Sequence, residues 1–122
     1  MFKFETLEVW KKAISYADEL LEIAENLPQG YQFSLSDQLK RAGISVPNNI
    51  AEGSGRSSEK ESTQLFNVAK GSTYETINLL KIALNRKLVS QETYDQLYAK
   101  AEEIAKMLSG LMSSTSKSKR FE

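Results

Sequence analysis

A chain of 122 residues with 16 basic and 16 acidic side chains carries no net charge at neutral pH, and its length suits one domain. Such a domain removes roughly two-thirds of its unfolded surface from water without metal or disulfide staples. Cysteine and histidine are both absent, which excludes disulfides, thiolate metal sites and any Ser-His, Cys-His or His-metal constellation built within the chain.

Four helical segments follow from apolar spacing. In the first, Leu7, Trp10, Ile14, Ala17, Leu21 and Ala24 recur at intervals of three and four, and Val9, Ala13, Tyr16, Leu20, Ile23 and Leu27 form a second row beside them. Together the rows cover roughly 200° of the helix, about twice the minimum width of a core-facing stripe. Pro28 and Gly30 end the segment.

The second segment opens with Ser34 as its expected N-cap and Asp37 three residues later. Leu35, Leu39, Ala42, Val46, Ile50 and Gly53 form its inner row. A polar row, Gln38, Arg41, Ser45, Asn49 and Glu52, runs alongside, and Ile44, Pro47 and Ala51 make a small apolar row on another side. Proline inside a helix removes one hydrogen bond and crowds the carbonyl four residues back, at a cost of about 3 kcal/mol. That residue is Gly43, which permits local adjustment, and the apolar rows keep helical phase across Pro47. A kinked but continuous helix is therefore expected in preference to a break.

Ser58 and Glu61 form a capping-box pattern for the third segment, which runs through Leu65, Phe66, Ala69, Thr73, Ile77, Leu80 and Leu84. Gly71 and Ser72 near its middle suggest close approach by a neighbouring helix. Asn85 to Leu88 reads as a turn, and Ser90 caps a fourth helix with Tyr94, Leu97, Ala101, Ile104, Ala105, Leu108, Leu111 and Met112 inward. SSTSKSKRFE then reads as polar and disordered, which places one domain at residues 1–113 and a tail at 114–122. Comparable helix lengths and short connections predict an all-α, antiparallel up-down-up-down four-helix bundle; a three-helix form with a broken second helix is the alternative.

No apolar run approaches the ~20 residues that span a bilayer, and MFKFETLEVWKK has no signal-peptide hydrophobic region, so a cytoplasmic protein is expected. Asp18, Asp37 and Asp95 are scattered, so the carboxylates read as solvated surface rather than as an acid/base pair. No catalytic residue, cofactor or metal site is expected.

The run QLKRAGISVPNNIAEGSGRSSEKE, preceded by LEVWKKA and followed by AKGSTYETINLL, resembles the four-helix bundle family of 23S rRNA-intervening sequence proteins, also called the S23 ribosomal protein family. The resemblance covers about residues 4 to 113. It rests on Leu7 to Trp10, on Gln38, Arg41, Ala42, Ser45, Pro47 and Asn49 to Gly53, on Arg56 and Glu61, and on Gly71, Ser72 and Glu75. It implies an antiparallel bundle that assembles as a pentameric ring. It also points to a similar bundle, the accessory protein of diversity-generating retroelements, which contacts reverse transcriptase and nucleic acid through a basic surface.

The residues themselves support assembly more than nucleic-acid binding. The oversized apolar face of the first helix, with Ile44, Pro47 and Ala51 on the second, is what subunit contacts would bury; the alternative is that Phe2, Phe4 and Tyr31 cover the excess. Lys40, Arg41, Arg56, Lys60, Lys70, Arg86 and Lys87 are candidate nucleic-acid contacts, weighed against an ordinary solvated surface. GSGRSS before a helix resembles an anion site only weakly, and a turn with Gly53 as C-cap is favoured. Gln38, Arg41, Ser45, Asn49 and Glu52 are expected to pair with Glu61 and Glu75 in an internal polar network rather than to bind a ligand. The expected role is a non-enzymatic, homo-oligomeric binding or scaffold module, with an RNA- or nucleic-acid-associated accessory protein as the alternative.

Overall fold

Apolar residues three and four apart on each segment come to face one another, and Leu20, Leu39, Val46, Ile50, Leu80 and Leu108 are all completely enclosed. Burying each such side chain contributes about 1.5–3 kcal/mol, which gives the helices their reason to pack. The computed structural model describes residues 1–120. Among these it holds four α-helices and no strand: α1 (Glu8–Glu25), α2 (Asp37–Ser54), α3 (Glu59–Asn85) and α4 (Gln91–Arg120). Helix α1 packs on α2 and α4, and α3 on the same two. Thus α1 and α3 lie across one diagonal of a four-cornered bundle, and α2 and α4 across the other.

Contacts fix the register of each pair. Leu20 of α1 lies against Gly43 of α2, and Ser36, just before α2, donates to the Ala24 carbonyl at 2.7 Å. Phe66 of α3 abuts Gly53, whereas Ser72, further along α3, meets Ser45. On α1 and α4, Lys12 pairs with Glu103 at 3.0 Å and Lys100 with Glu19 at 2.7 Å. In these three pairs the residue numbers rise along one helix as they fall along its neighbour.

Several local details differ from expectation. Ser34 does not cap α2. A π-helical turn, Gln32–Ser36, precedes that helix, and the Ser34 hydroxyl donates backward to the Tyr31 carbonyl at 3.4 Å. Helix α2 runs unbroken from Asp37 to Ser54 with Pro47 inside, and its C-cap is Gly55 rather than Gly53. Gly53 is instead a packing residue: a Cβ there would meet Phe66 Cε1 at 2.6 Å. The close approach expected at Gly71 is made at Gly43 and Gly53, since nothing outside its own helix lies within 4 Å of a Cβ built at Gly71.

Ser58 caps α3 as its pattern predicts, accepting from the Glu61 N–H at 3.1 Å. At the other end of α3, Lys87 takes the left-handed conformation with φ 62°. The Leu88 N–H reaches the Ala83 carbonyl and the Lys87 N–H the Leu84 carbonyl, at 2.8 and 2.9 Å, the pairing of a Schellman cap. Ser90 then caps α4, accepting from the Thr93 N–H at 3.0 Å. No helix end marks the boundary expected at residue 113: α4 extends to Arg120, and the last two residues of the expected tail lie outside the described ones.

A chain of hydroxyls crosses the α1–α3 diagonal. Tyr16 and Thr76 approach to 2.8 Å, and Thr76 donates to the Thr73 carbonyl at 2.6 Å. Because the Thr76 proton is committed to that carbonyl, Tyr16 must be the donor to Thr76. Burial pushes the Tyr16 hydroxyl up to about 12, reinforced by the nearby charge of Glu19.

Candidate functional site

The polar row of α2 lies along its seam with α3, and only its middle is joined. Ser45 and Ser72 hydroxyls meet at 2.7 Å. The Asn49 side-chain amide donates to the Ser45 carbonyl at 2.8 Å and to its hydroxyl at 3.0 Å. Gln38, Arg41, Glu52, Glu61 and Glu75 are exposed. Arg41 reaches Asp37 one turn back at 3.3 Å, with both side chains at least half exposed, a pair of little energetic weight. Among the described residues no side-chain hydrogen bond or ion pair joins Gln38, Glu52, Glu61 or Glu75 to the others. The expected network therefore contracts to Ser45 and Asn49, completed by Ser72, because water solvates the charged groups at the outer edge of the seam.

The seven candidate basic residues do not converge. Arg56 and Lys60 flank the α2–α3 turn, whereas Arg86 and Lys87 follow α3, whose 27 residues put about 40 Å between the two groups. Lys40 and Arg41 sit in the first turns of α2 and Lys70 midway along α3. Arg86 is engaged within the fold, donating from Nε and Nη2 to the Tyr31 hydroxyl at 3.3 Å each. Lys70 lies over the Tyr74 ring, 5.9 Å from its centroid.

Of the two apolar rows on α1, the one containing Val9, Ala13, Tyr16 and Leu20 is buried. The other flanks it on the α2 side, because Lys12 and Glu19, bonded to α4, occupy the opposite flank. Its Ile14 remains 44% exposed, and Trp10 and Leu21 are half-buried. On α2, Ser45 and Asn49 face α3, so Ile44, Pro47 and Ala51 lie on the α1 side. Ile44 is 42% exposed and Ala51 half-buried, but Pro47 is buried within the chain. Pro47 shares the inward arc with Gly43 and so drops out of the expected contact surface. Part of the excess apolar surface is covered internally: the 3-10 turn Lys3–Thr6 packs on α2, and Phe4 lies 5.0 Å from Trp10, ring to ring.

A surface that the sequence reading missed lies across the bundle. Between α3 and α4 a groove of about 400 Å³ is lined by Tyr74, Ile77, Tyr98, Glu102, Ala105 and Lys106, among others. Tyr74 is 60% and Tyr98 42% exposed. Tyr98 leans on Tyr94 at 5.9 Å, and Lys81 lies 5.6 Å from the Tyr94 centroid. The signal was present in the sequence: Lys70, Tyr74, Ile77 and Lys81 recur at four, three and four residues. Assigning Ile77 to the core row hid it.

No group of three or more potential metal ligands exists among the described residues, and none of their helices is long and apolar enough to cross a membrane. The candidate functional surfaces are the outer α1–α2 and α3–α4 seams.

Comparison with known proteins bears on the fold and the family. The family model for 23S rRNA-intervening sequence proteins matches residues 5–110. A protein of unknown function from the S23 ribosomal protein family of Bacteroides thetaiotaomicron has a similar structure, with TM-score 0.80 and 24% identity, covering 86% of this chain and 95% of that one. Comparison with curated proteins gives no match.

Proposed function

The chain belongs to the family of 23S rRNA-intervening sequence proteins, and from that premise we propose that it is a cytoplasmic, non-catalytic, homo-oligomeric binding or scaffold module. The observation that carries this reading is the outer α1–α2 face, where Ile14 and Ile44 remain 44% and 42% exposed after the bundle has closed. Apolar side chains clustered on one face are what association removes from water. Five copies is the number the family resemblance implies. The nucleic-acid alternative has weaker support, because its candidate cations are spread over α2 and the whole length of α3 and one of them, Arg86, donates to Tyr31.

Light scattering on a size-exclusion column at micromolar concentration tests the reading. The expected mass is a multiple of 13.7 kDa, five-fold if the pentamer is correct, and Ile44→Glu is expected to reduce it to a single chain. A wild-type mass of one chain overturns the proposal.

A further inference from the structure

We propose that the cleft where the end of α1 meets the α3–α4 turn binds a small organic cation with an apolar body. The cleft encloses about 440 Å³, within the ~300–1,000 Å³ of small-molecule sites. Its floor is apolar, made by Ile23 and Leu27 of α1, Leu88 and Val89 of the turn and Leu97 of α4. Leu97 is 3% exposed, but the other four are only half-buried once the bundle has closed. They keep apolar surface that the hydrocarbon of a ligand can cover.

The rim decides the charge of the ligand. Its ionisable members are Glu19 and Glu22, with no lysine or arginine in the lining. Lys100 donates to both oxygens of Glu19, at 2.7 and 2.9 Å, which leaves the exposed Glu22 as the carboxylate without an ion-pair partner among the described residues. The neutral groups of the rim add acceptors to it. The Asn26 amide nitrogen is committed to the Glu22 carbonyl at 2.8 Å, leaving Oδ1 to accept, and the Ser90 hydroxyl donates to Thr93 Oγ1 at 3.0 Å. Thr93 and Gln96 keep donors of their own, but neither carries charge. The helix adds a second, independent bias. The last turn of α1 contains no basic residue, while Glu22 and Glu25 stand at the negative end of its dipole, an arrangement that costs stability. A protonated amine at the rim offsets that charge, and a carboxylate there is repelled.

Three probes of similar shape and different charge test the assignment: phenethylammonium, phenethyl alcohol and phenylacetate, each titrated into the full chain at neutral pH and followed by methyl NMR. The ammonium is expected to shift the Ile23, Leu27, Leu88 and Val89 methyls saturably, with a Kd of about 1 mM for a probe of this size, and more weakly as salt rises. The alcohol binds several-fold less tightly and the carboxylate produces no saturable shift. Glu22→Gln, at an exposed position that the fold does not need, is expected to weaken the ammonium about tenfold and leave the alcohol unchanged. Glu102→Gln on the α3–α4 seam is the control and changes neither, with circular dichroism confirming that both variants stay folded. Equal binding of all three probes, shifts centred away from the cleft, no saturable shift with the ammonium, or a folded Glu22→Gln protein that binds it as tightly as the wild type overturns the assignment. None of these readouts depends on the mass of the wild type, so the cation site and the oligomeric reading stand or fall separately.

Discussion

Replacing Gly53 with alanine places a methyl carbon 2.6 Å from Phe66 Cε1 and 2.8 Å from Cδ1, well inside the ~3.5–4.0 Å of favourable carbon contact. Phe66 is 2% exposed, so its ring has no vacant space to enter, and overpacking of this kind costs about 1–3 kcal/mol. Alanine in a helix returns about 0.5–1 kcal/mol relative to glycine. The net loss centres on about 1 kcal/mol within a range of about 0–2.5 kcal/mol, or roughly 5 °C in Tm for a domain of this size. Gly71→Ala in α3 is the matched control: its added carbon meets nothing within 4 Å, so only the helix gain of about 0.5–1 kcal/mol remains. Thermal unfolding followed by circular dichroism should show opposite shifts, and Phe66→Leu should partly rescue Gly53→Ala by clearing the contact. A Gly53→Ala protein as stable as the wild type would refute the packing argument.

In urea titrations, Tyr16→Phe should cost about 1 kcal/mol. Thr76→Val should cost more, roughly 1–3 kcal/mol, because it strands a buried phenol donor, and the double variant should lie near Tyr16→Phe alone. The tyrosine also predicts an alkaline decline. Its proton is held to about 12 in the fold against 10.0 when free, so its full contribution persists below pH 10 and is lost as pH rises through 12, by up to about 3 kcal/mol. Tyr16→Phe should flatten that part of the stability profile. Lys87→Gly should raise stability by about 1 kcal/mol, read as a higher urea midpoint with unchanged slope, because the left-handed cap position penalises a side chain.

The helices were legible because burial repeats with the helical period, and Ser58, Glu61 and Ser90 announce their own caps. What escaped the sequence depends on pairings between distant segments. The partner of Tyr16 is 60 residues away, and no local pattern points to Thr76. The polar row on α2 is visible in the spacing, but whether it is enclosed depends on how far α3 covers it, and that coverage stops near Ser45 and Asn49. Glycine commonly ends helices, so the sequence alone points to Gly53 as a terminus. Its actual service, making room for Phe66, is visible only once α3 is in place. The family motif identified the bundle without revealing that Pro47 faces inward while Ile44 faces outward.

Aliphatic side chains tolerate sliding: shift one helix by a turn and leucine still meets leucine. The hydroxyl chain through Tyr16, Thr76 and the Thr73 carbonyl does not, because any displaced alignment leaves a phenol without an acceptor in an apolar interior. It therefore acts as an alignment key between helices that are not neighbours around the bundle, separating one arrangement from its near-degenerate rivals. Such a key selects one alignment even where the bond adds little to the free energy of folding.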